Sequence, residues 1–297
     1  MKNIRPTTAA LSLAGAVLLG RASWEENHHL SETHITLKVS GLPEAFEGLR
    51  LLHLSDLHNS RFGPGQRKLL ERAAAARPDA VCLTGDLIDK RRTRSLEEAG
   101  PALELCRGLT ALAPVFFAPG NHEAIFPDYP KLRRILREMG VIFLEDRRVL
   151  WKRNGCQIAL AGLRDPGFFQ ENKLRFRQNL YRVTKGCDTF TVLLSHRPEE
   201  FTEYCAAGVQ VVLAGHAHGG QIRLPGLGPV WVPSQGFFPE YAQGVHQLGR
   251  TSMAVSRGLG NSLFPQRILN RPEIVVETLL CGSAWNNPAR ESSRFHM

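Results

Sequence analysis

The stretch VQVVLAGHAHGG, residues 209–220, decides how this chain is read. Its β-branched, apolar first half is too short for an ordinary helix and predicts a buried strand. It stops at a glycine and two histidines, His216 and His218. Outward from it the same grammar recurs in HITLKV (34–39), LRLLHLS (49–55), DAVCLTG (79–85), VFFAPG (115–120), QIALAGL (157–163), FTVLLS (190–195), SMAVS (252–256) and EIVVETL (273–279). Helical patterns lie between several of these runs, at 65–78, 95–112, 129–140 and 197–208. Strands alternating with helices predict an α/β protein with a substantially parallel sheet.

In open α/β sheets ligands gather beyond the carboxyl ends of strands, so the residues that end each run carry the functional signal. LLHLS is followed by Asp56 and His58, VCLTG by Asp86, VFFAPG by Asn121, His122 and Glu123, FTVLLS by His196, and VQVVLAG by His216 and His218. Each alone has an ordinary explanation: a helix cap for Asp56 or Asp86, a turn for Asn121, a structural role for a single histidine. Together they offer carboxylate, amide and imidazole donors with no thiolate, a set that suits Mn, Fe or Zn.

The blocks D-x-H, G-D, G-N-H-E, a strand-end His and G-H-x-H, in this order across residues 34–280, resemble the calcineurin-like metallophosphoesterase superfamily. The resemblance implies a four-layer αββα sandwich with two mixed β-sheets and two divalent metal ions at one sheet edge. By the same resemblance Asp56, His58 and His218 hold one ion, Asn121, His196 and His216 hold the other, and Asp86 bridges both. It also implies a metal-bridging hydroxide as nucleophile, with His122 as general acid and Glu123 standing where the family has Asp or Glu. GHAHGGQIRLP, GPVWVPSQGFF, SRGLGNS and NRPEI further resemble a membrane-associated or exported bacterial branch. Some members of that branch hydrolyse phosphodiesters or the lipid-linked pyrophosphate UDP-diacylglucosamine. The expectation is a phosphodiesterase or pyrophosphatase, a monomer, whose phosphate-ester substrate is lipid-linked or lies near a membrane surface. The alternatives are a protein or nucleotide phosphomonoesterase, a nuclease, and a scaffold without chemistry. The scaffold should lack ligands, yet every ligand position is filled.

The chain of 297 residues is long enough for one domain or two, and ligands running from Asp56 to His218 that meet at one site imply one. With 43% hydrophobic and 22% charged residues, disordered, collagen-like and coiled-coil classes are excluded for the body. The excess of 37 basic over 28 acidic residues, a net +9, suits anionic partners; the basic residues are dispersed and no nucleic-acid module is present, which disfavours nucleic acid. Lys2 and Arg5 precede an uncharged, largely apolar run from Pro6 to Gly20 closed by Arg21, so residues 1–23 read as a signal peptide or membrane anchor. Arg5 has no adjacent arginine, so a twin-arginine signal is not present. Residues 24–282 form the expected domain and 283–297 a polar tail, with the protein membrane-associated or exported, at the extracytoplasmic face.

Six scattered cysteines without a CxxC pair read as buried free thiols. Asp89 is expected to support the loop of Asp86, and His53 to sit in the core or behind the ligands. Arg197 meets either a phosphate or solvent. Gly215, Gly219 and Gly220 permit tight turns at the two histidines. The Gly- and Pro-rich segment from Arg223 to Tyr241 reads as a long ordered loop, on which Trp231, Phe237 and Phe238 either meet an acyl chain or nucleobase or pack on the core.

Overall fold

The computed structural model describes residues 20–282 except Ala22, Cys187 and Leu263. Most of the proposed signal or anchor at 1–23, and the polar tail at 283–297, lie outside the described residues. Helical residues 23–28 contain the expected boundary at 23 and 24.

Twelve strands build two six-stranded mixed sheets. The first contains β1 (Ser31–Val39), β2 (Leu49–Leu54), β3 (Ala80–Leu83), β4 (Val115–Phe117), β5 (Ile142–Phe143) and, returning from the far end of the chain, β12 (Glu273–Cys281). Its order is β1-β12-β2-β3-β4-β5, parallel from β2 to β5 with β12 antiparallel to β2. The second contains β6 (Arg147–Arg153), β7 (Cys156–Gly162), β8 (Thr191–Ser195), β9 (Val211–Ala214), β10 (Gly244–Leu248) and β11 (Thr251–Val255), in the order β10-β11-β9-β8-β7-β6. Its central strands β7, β8, β9 and β11 are parallel, with antiparallel β6 and β10 at the edges.

Strand alternation sorts the apolar residues into three layers. Leu49, Leu51, Ala80 and Cys82 face Ile158, Leu160, Val192, Leu194, Val211 and Leu213 between the sheets. Their neighbours Leu52, Leu54, Val81 and Leu83 turn outward onto α1 (Arg67–Ala75), α2 (Gly100–Thr110) and, beyond the one-turn α3 (Asn121–Ala124), α4 (Tyr129–Glu138). On the opposite side Ala161, Leu193, Val212 and Ala214 meet α5 (Lys173–Thr184) and α6 (Phe201–Ala206) through Phe176, Leu180, Phe201 and Tyr204. The result is the expected four-layer αββα sandwich.

Some expectations need correction. Helix α2 begins at Gly100, with a 3₁₀ turn at Leu96–Ala99 before it, because Pro101 suits a first helical turn and not an interior. The described cysteines are free, but only Cys82 and Cys106 are buried; Cys156 and Cys205 are half-buried and Cys281 is exposed. The segment from Arg223 to Tyr241 carries two small hairpins, pairing Arg223–Leu224 with Gly228–Pro229 and Trp231–Val232 with Gly236–Phe237. No helix of the described residues is long and apolar enough to cross a membrane.

Candidate metal centre

Because the parallel strands of both sheets run toward the same edge, the residues just past β2, β3, β4, β8 and β9 converge there. Asp56, His58 and His218 bring one donor atom each within 4.8 Å of one another, as do Asp86, His196 and His216. All six are buried. The backbone is bent to deliver them: Asp56, His58, Asp86, His216 and His218 have φ between 46° and 66°. That left-handed conformation is uncommon outside glycine, though Asp and His adopt it more readily than most residues, and such strain clusters at functional sites. Glycine is required where these turns touch. A Cβ on Gly215 would run into the Ser55 hydroxyl, and one on Gly85 would lie 2.6 Å from the Gly120 nitrogen and 2.8 Å from His196 Nδ1.

The donor set is oriented for a cation. His196 Nδ1 donates to the Thr84 carbonyl at 2.6 Å, so the lone pair on Nε2 faces Asp86 Oδ2 at 3.1 Å. His218 Nδ1 donates to the Gly260 carbonyl at 3.3 Å, so its Nε2 faces Asp56 Oδ1 at 3.2 Å. Two acceptors turned toward each other in a buried place need a positive charge between them. Asp56 Oδ1, Asn121 Oδ1 and His196 Nε2 are buried without a hydrogen-bond partner, and these are three atoms the ligand set requires. The other carboxylate oxygens are already used: Asp56 Oδ2 accepts from the His216 amide at 3.1 Å and Asp86 Oδ1 from the His122 amide at 2.9 Å. Asp86 Oδ2 lies between the two groups, 3.1 Å from His196 Nε2 and 3.5 Å from His58 Nε2. The residues fit a pair of divalent ions.

The electrostatics agree. Burial opposes ionisation of Asp56 and Asp86, but His218 beside the first and His196 and His122 beside the second hold both carboxyls below their ordinary range. Burial opposes the charged form of His196 too, yet Asp86 pushes its pKa up to about 10, the proton taking the place a metal would fill. Burial pulls His218 down to about 3, and burial with the Arg197 charge holds His216 well below its usual value.

His122 is oriented differently. Its Nδ1 lies 3.0 Å from the Lys90 amide and 3.2 Å from Asp89 Oδ1. When neutral, the ring accepts from the amide through Nδ1; when charged, it donates to the carboxylate. In both states Nε2 carries a proton, 4.0 Å from Asp86 Oδ2. Although burial works against it, Asp86 and Asp89 raise the pKa of His122. Asp89 is thus a partner of His122, reinforced by Arg91 and Arg92. Glu123 takes amide hydrogens from Gly120, Asp86 and Leu87 at 2.8 Å each, tying the loops of β3 and β4 together.

His53 is buried between Glu277 at 3.0 Å and the Thr84 hydroxyl at 2.8 Å, behind the Thr84 carbonyl that orients His196. Arg197 neither meets solvent freely nor points into the cleft. Asp165 clamps it with two bonds of 2.5 and 2.9 Å, and its guanidinium lies 3.4 Å from His216 Nε2. Sequence reasoning missed Asp165, although QIALAGL runs into it as another strand end. It also missed Asn270, whose amide donates to the His218 carbonyl at 2.7 Å, and fully buried Arg267, which donates to the Gly260 carbonyl. A cleft of about 210 Å³, lined by Asp86, Asn121, His122, His216, His218 and the rim residues Arg91, Ile125, Pro233 and Ser262, opens onto the donors.

Two stacked mixed sheets with a buried Asp, His and Asn cluster at their common edge define a metallophosphoesterase architecture. The model of the calcineurin-like phosphoesterase family matches residues 49–220, and the chain belongs to that family. It is 29% identical over 282 residues to the uncharacterized metallophosphoesterase YkuE of Bacillus subtilis (strain 168), covering 94% of this chain and 96% of that protein. It is 26% identical over 238 residues to the phosphodiesterase YaeI of Escherichia coli (strain K12), covering 78% of this chain and 82% of that protein. Among solved structures, a dimetal phosphatase from Danio rerio aligns with a TM-score of 0.45 at 13% identity, over 72% of this chain and 88% of that chain.

Proposed function

We propose that this phosphoesterase hydrolyses phosphodiesters or pyrophosphates with two divalent ions, Mn, Fe or Zn, at or near a membrane on the extracytoplasmic side. The observation that carries the metal-dependent reading is the set of buried, unpartnered atoms Asp56 Oδ1, Asn121 Oδ1 and His196 Nε2, with His196 Nε2 3.9 Å from Asp56 Oδ1 and 3.1 Å from Asp86 Oδ2. Asp56, His58 and His218 would hold one ion, Asn121, His196 and His216 the other, with Asp86 Oδ2 shared. When bound, such a pair neutralises phosphoryl charge and acidifies water at neutral pH. The chain's own residues do the rest. In its charged form His122 would pass the Nε2 proton to the departing alkoxide, leaving a neutral ring that keeps its Nδ1 proton toward Asp89, a general-acid contribution of roughly 10²–10⁴-fold. Glu123 and Asp89 hold that imidazole and the loop of Asp86 in register, and Arg91 at the rim places positive charge where an anionic substrate enters. The diester preference is supported by the likeness to YaeI, and the location by the apolar run from Pro6 to Gly20.

Purified protein with added Mn²⁺ is expected to hydrolyse bis(p-nitrophenyl) phosphate faster than p-nitrophenyl phosphate and to lose both activities to a chelator. Absence of activity with Mn²⁺, Fe²⁺ and Zn²⁺ alike would overturn the metal-hydrolase reading; a faster monoester would overturn the diester preference.

A further inference from the structure

Beside the cleft lies a second, smaller cavity of about 140 Å³, walled by Ala217, Ile222, Val230, Trp231, Pro233 and Phe264. It shares His218, Pro233 and Ser262 with the cleft, so a ligand at the metal centre has an apolar chamber at its side. The chamber is built by two loops laced together. Ile222 bridges to Ile268, the Arg223 amide donates to the Ile268 carbonyl at 3.1 Å, and Gln221 Nε2 donates to the Phe264 carbonyl at 2.6 Å. Gly220 is needed at the hinge: its φ is 76°, and a Cβ there would lie 2.5 Å from Pro229.

The outer surface of the same loops is apolar. Trp231 and Phe237 face each other across a hairpin, and they are 39% and 74% exposed, with Phe238 at 62% and Phe264 at 48%. Leu224, Leu227, Ile268 and Leu269 are exposed as well. Clusters of this kind mark lipid or partner contacts. The described N-terminal residues meet the same loops. The helical residues that follow the run Pro6 to Gly20 are fastened to the loop bearing Phe264, Ile268 and Leu269. Ser23 Oγ donates to Gln266 at 2.6 Å, and Asn27 and Glu26 accept from the Arg267 and Asn270 amides at 2.9 and 3.1 Å.

We propose that this chamber is an alkyl-chain subsite, so that the substrate is an amphiphilic phosphoester whose phosphate sits at the metal centre and whose hydrocarbon chain enters between Trp231 and Phe264. The assignment rests on the phosphoester-hydrolase reading above. An alkyl chain is favoured over a nucleobase by the lining. The aliphatic side chains of Ile222, Val230, Ala217 and Pro233, with Trp231 and Phe264, outnumber the polar ones of His218, Gln221 and Ser262, and one Gln221 N–H is already donated to the Phe264 carbonyl.

The test compares methyl, butyl and octyl p-nitrophenyl phosphates at submicellar concentration, and the binding of methyl and octyl phosphonate to the metal-loaded protein by calorimetry. Each methylene taken fully from water contributes about fourfold, so burying two to three of the seven added methylenes in a chamber this small should gain roughly 10–100-fold in kcat/KM and in affinity for octyl over methyl. The double variant Trp231→Ala/Phe264→Ala, truncated at exposed positions, should flatten both series. Hydrolysis with no dependence on chain length, or a series that the double variant leaves unchanged, would overturn the subsite while leaving the hydrolase reading intact. Tighter octyl phosphonate binding without hydrolysis of any ester would sustain the subsite and overturn the hydrolase reading.

Discussion

The two halves of the metal centre are built from the same kinds of residue but are held with unequal firmness. Around His196 and His216 each ring has a fixed orientation: the Thr84 carbonyl holds one at 2.6 Å, and the clamped Arg197 faces the other at 3.4 Å. Around His58 and His218 the constraint is weaker. His58 Nδ1 is buried without a partner, the His218 bond to Gly260 is 3.3 Å long, and the two rings face each other Nε2 to Nε2 at 3.2 Å. Because outer partners orient ligands and set their basicity, the half containing Asp86, His196 and His216 should bind its ion more tightly. The other half should gain much of its order only when an ion enters.

The largest effect should come from the residue the halves share. Asp86→Asn is expected to lower occupancy at both positions, read by elemental analysis after dialysis, and to cut turnover by more than the loss of an acid would. Full occupancy in that variant would break the picture of a shared carboxylate. His122→Ala comes next: both ions stay, and kcat on substrates with alkyl leaving groups falls by roughly 10²–10⁴. An unchanged kcat on such substrates would remove His122 from the reaction. A smaller effect separates the halves. Asn270→Ala deletes the donor to the His218 carbonyl and should weaken one ion by about tenfold, at the low end for an outer partner, with the second unaffected in a chelator titration. Equal weakening of both ions would show that the inequality is not real.

How much of this was legible in the sequence follows from where each residue sits. Central parallel strands are buried on both faces and read as continuous apolar runs, so LRLLHLS, DAVCLTG and VQVVLAG announced themselves, along with the ligands at their ends. Edge strands are not so marked. RRVLWKR forms β6 and GVHQL forms β10, each antiparallel at the margin of the second sheet with one face wet, and neither was anticipated. Helix α5, KLRFRQNLYRVT, hides its stripe of Phe176, Leu180 and Val183 among charges. Asp165 stood at a strand end like the ligands, whereas Asn270 and Arg267 were illegible for another reason: they act on the His218 carbonyl and on the Gly260 carbonyl that holds its ring, contacts across the fold that spacing along the chain does not encode.

The smallest predicted effect tests whether the charges around His122 tune its proton. Asp86, Asp89 and Glu123 raise its pKa against the penalty of burial, while Arg91 shares Asp89 Oδ1 with the ring and Arg92 takes Oδ2. A raised pKa keeps the charged ring present to higher pH, so activity that needs it should be lost as pH rises through that value. In Asp89→Asn the hydrogen bond to a carboxylate becomes one to a neutral amide. A charge-assisted bond is worth about 1.5–3 kcal/mol, and one unit of pKa about 1.4 kcal/mol, so the alkaline limb of kcat/KM on alkyl esters should move down by about one unit. The p-nitrophenolate leaving group departs without a proton, and its profile should keep the same limb in both proteins. If the alkyl-ester limb also stays where it was, Asp89 only holds the loop, and the proton on His122 is set by the metal centre and the Lys90 amide alone.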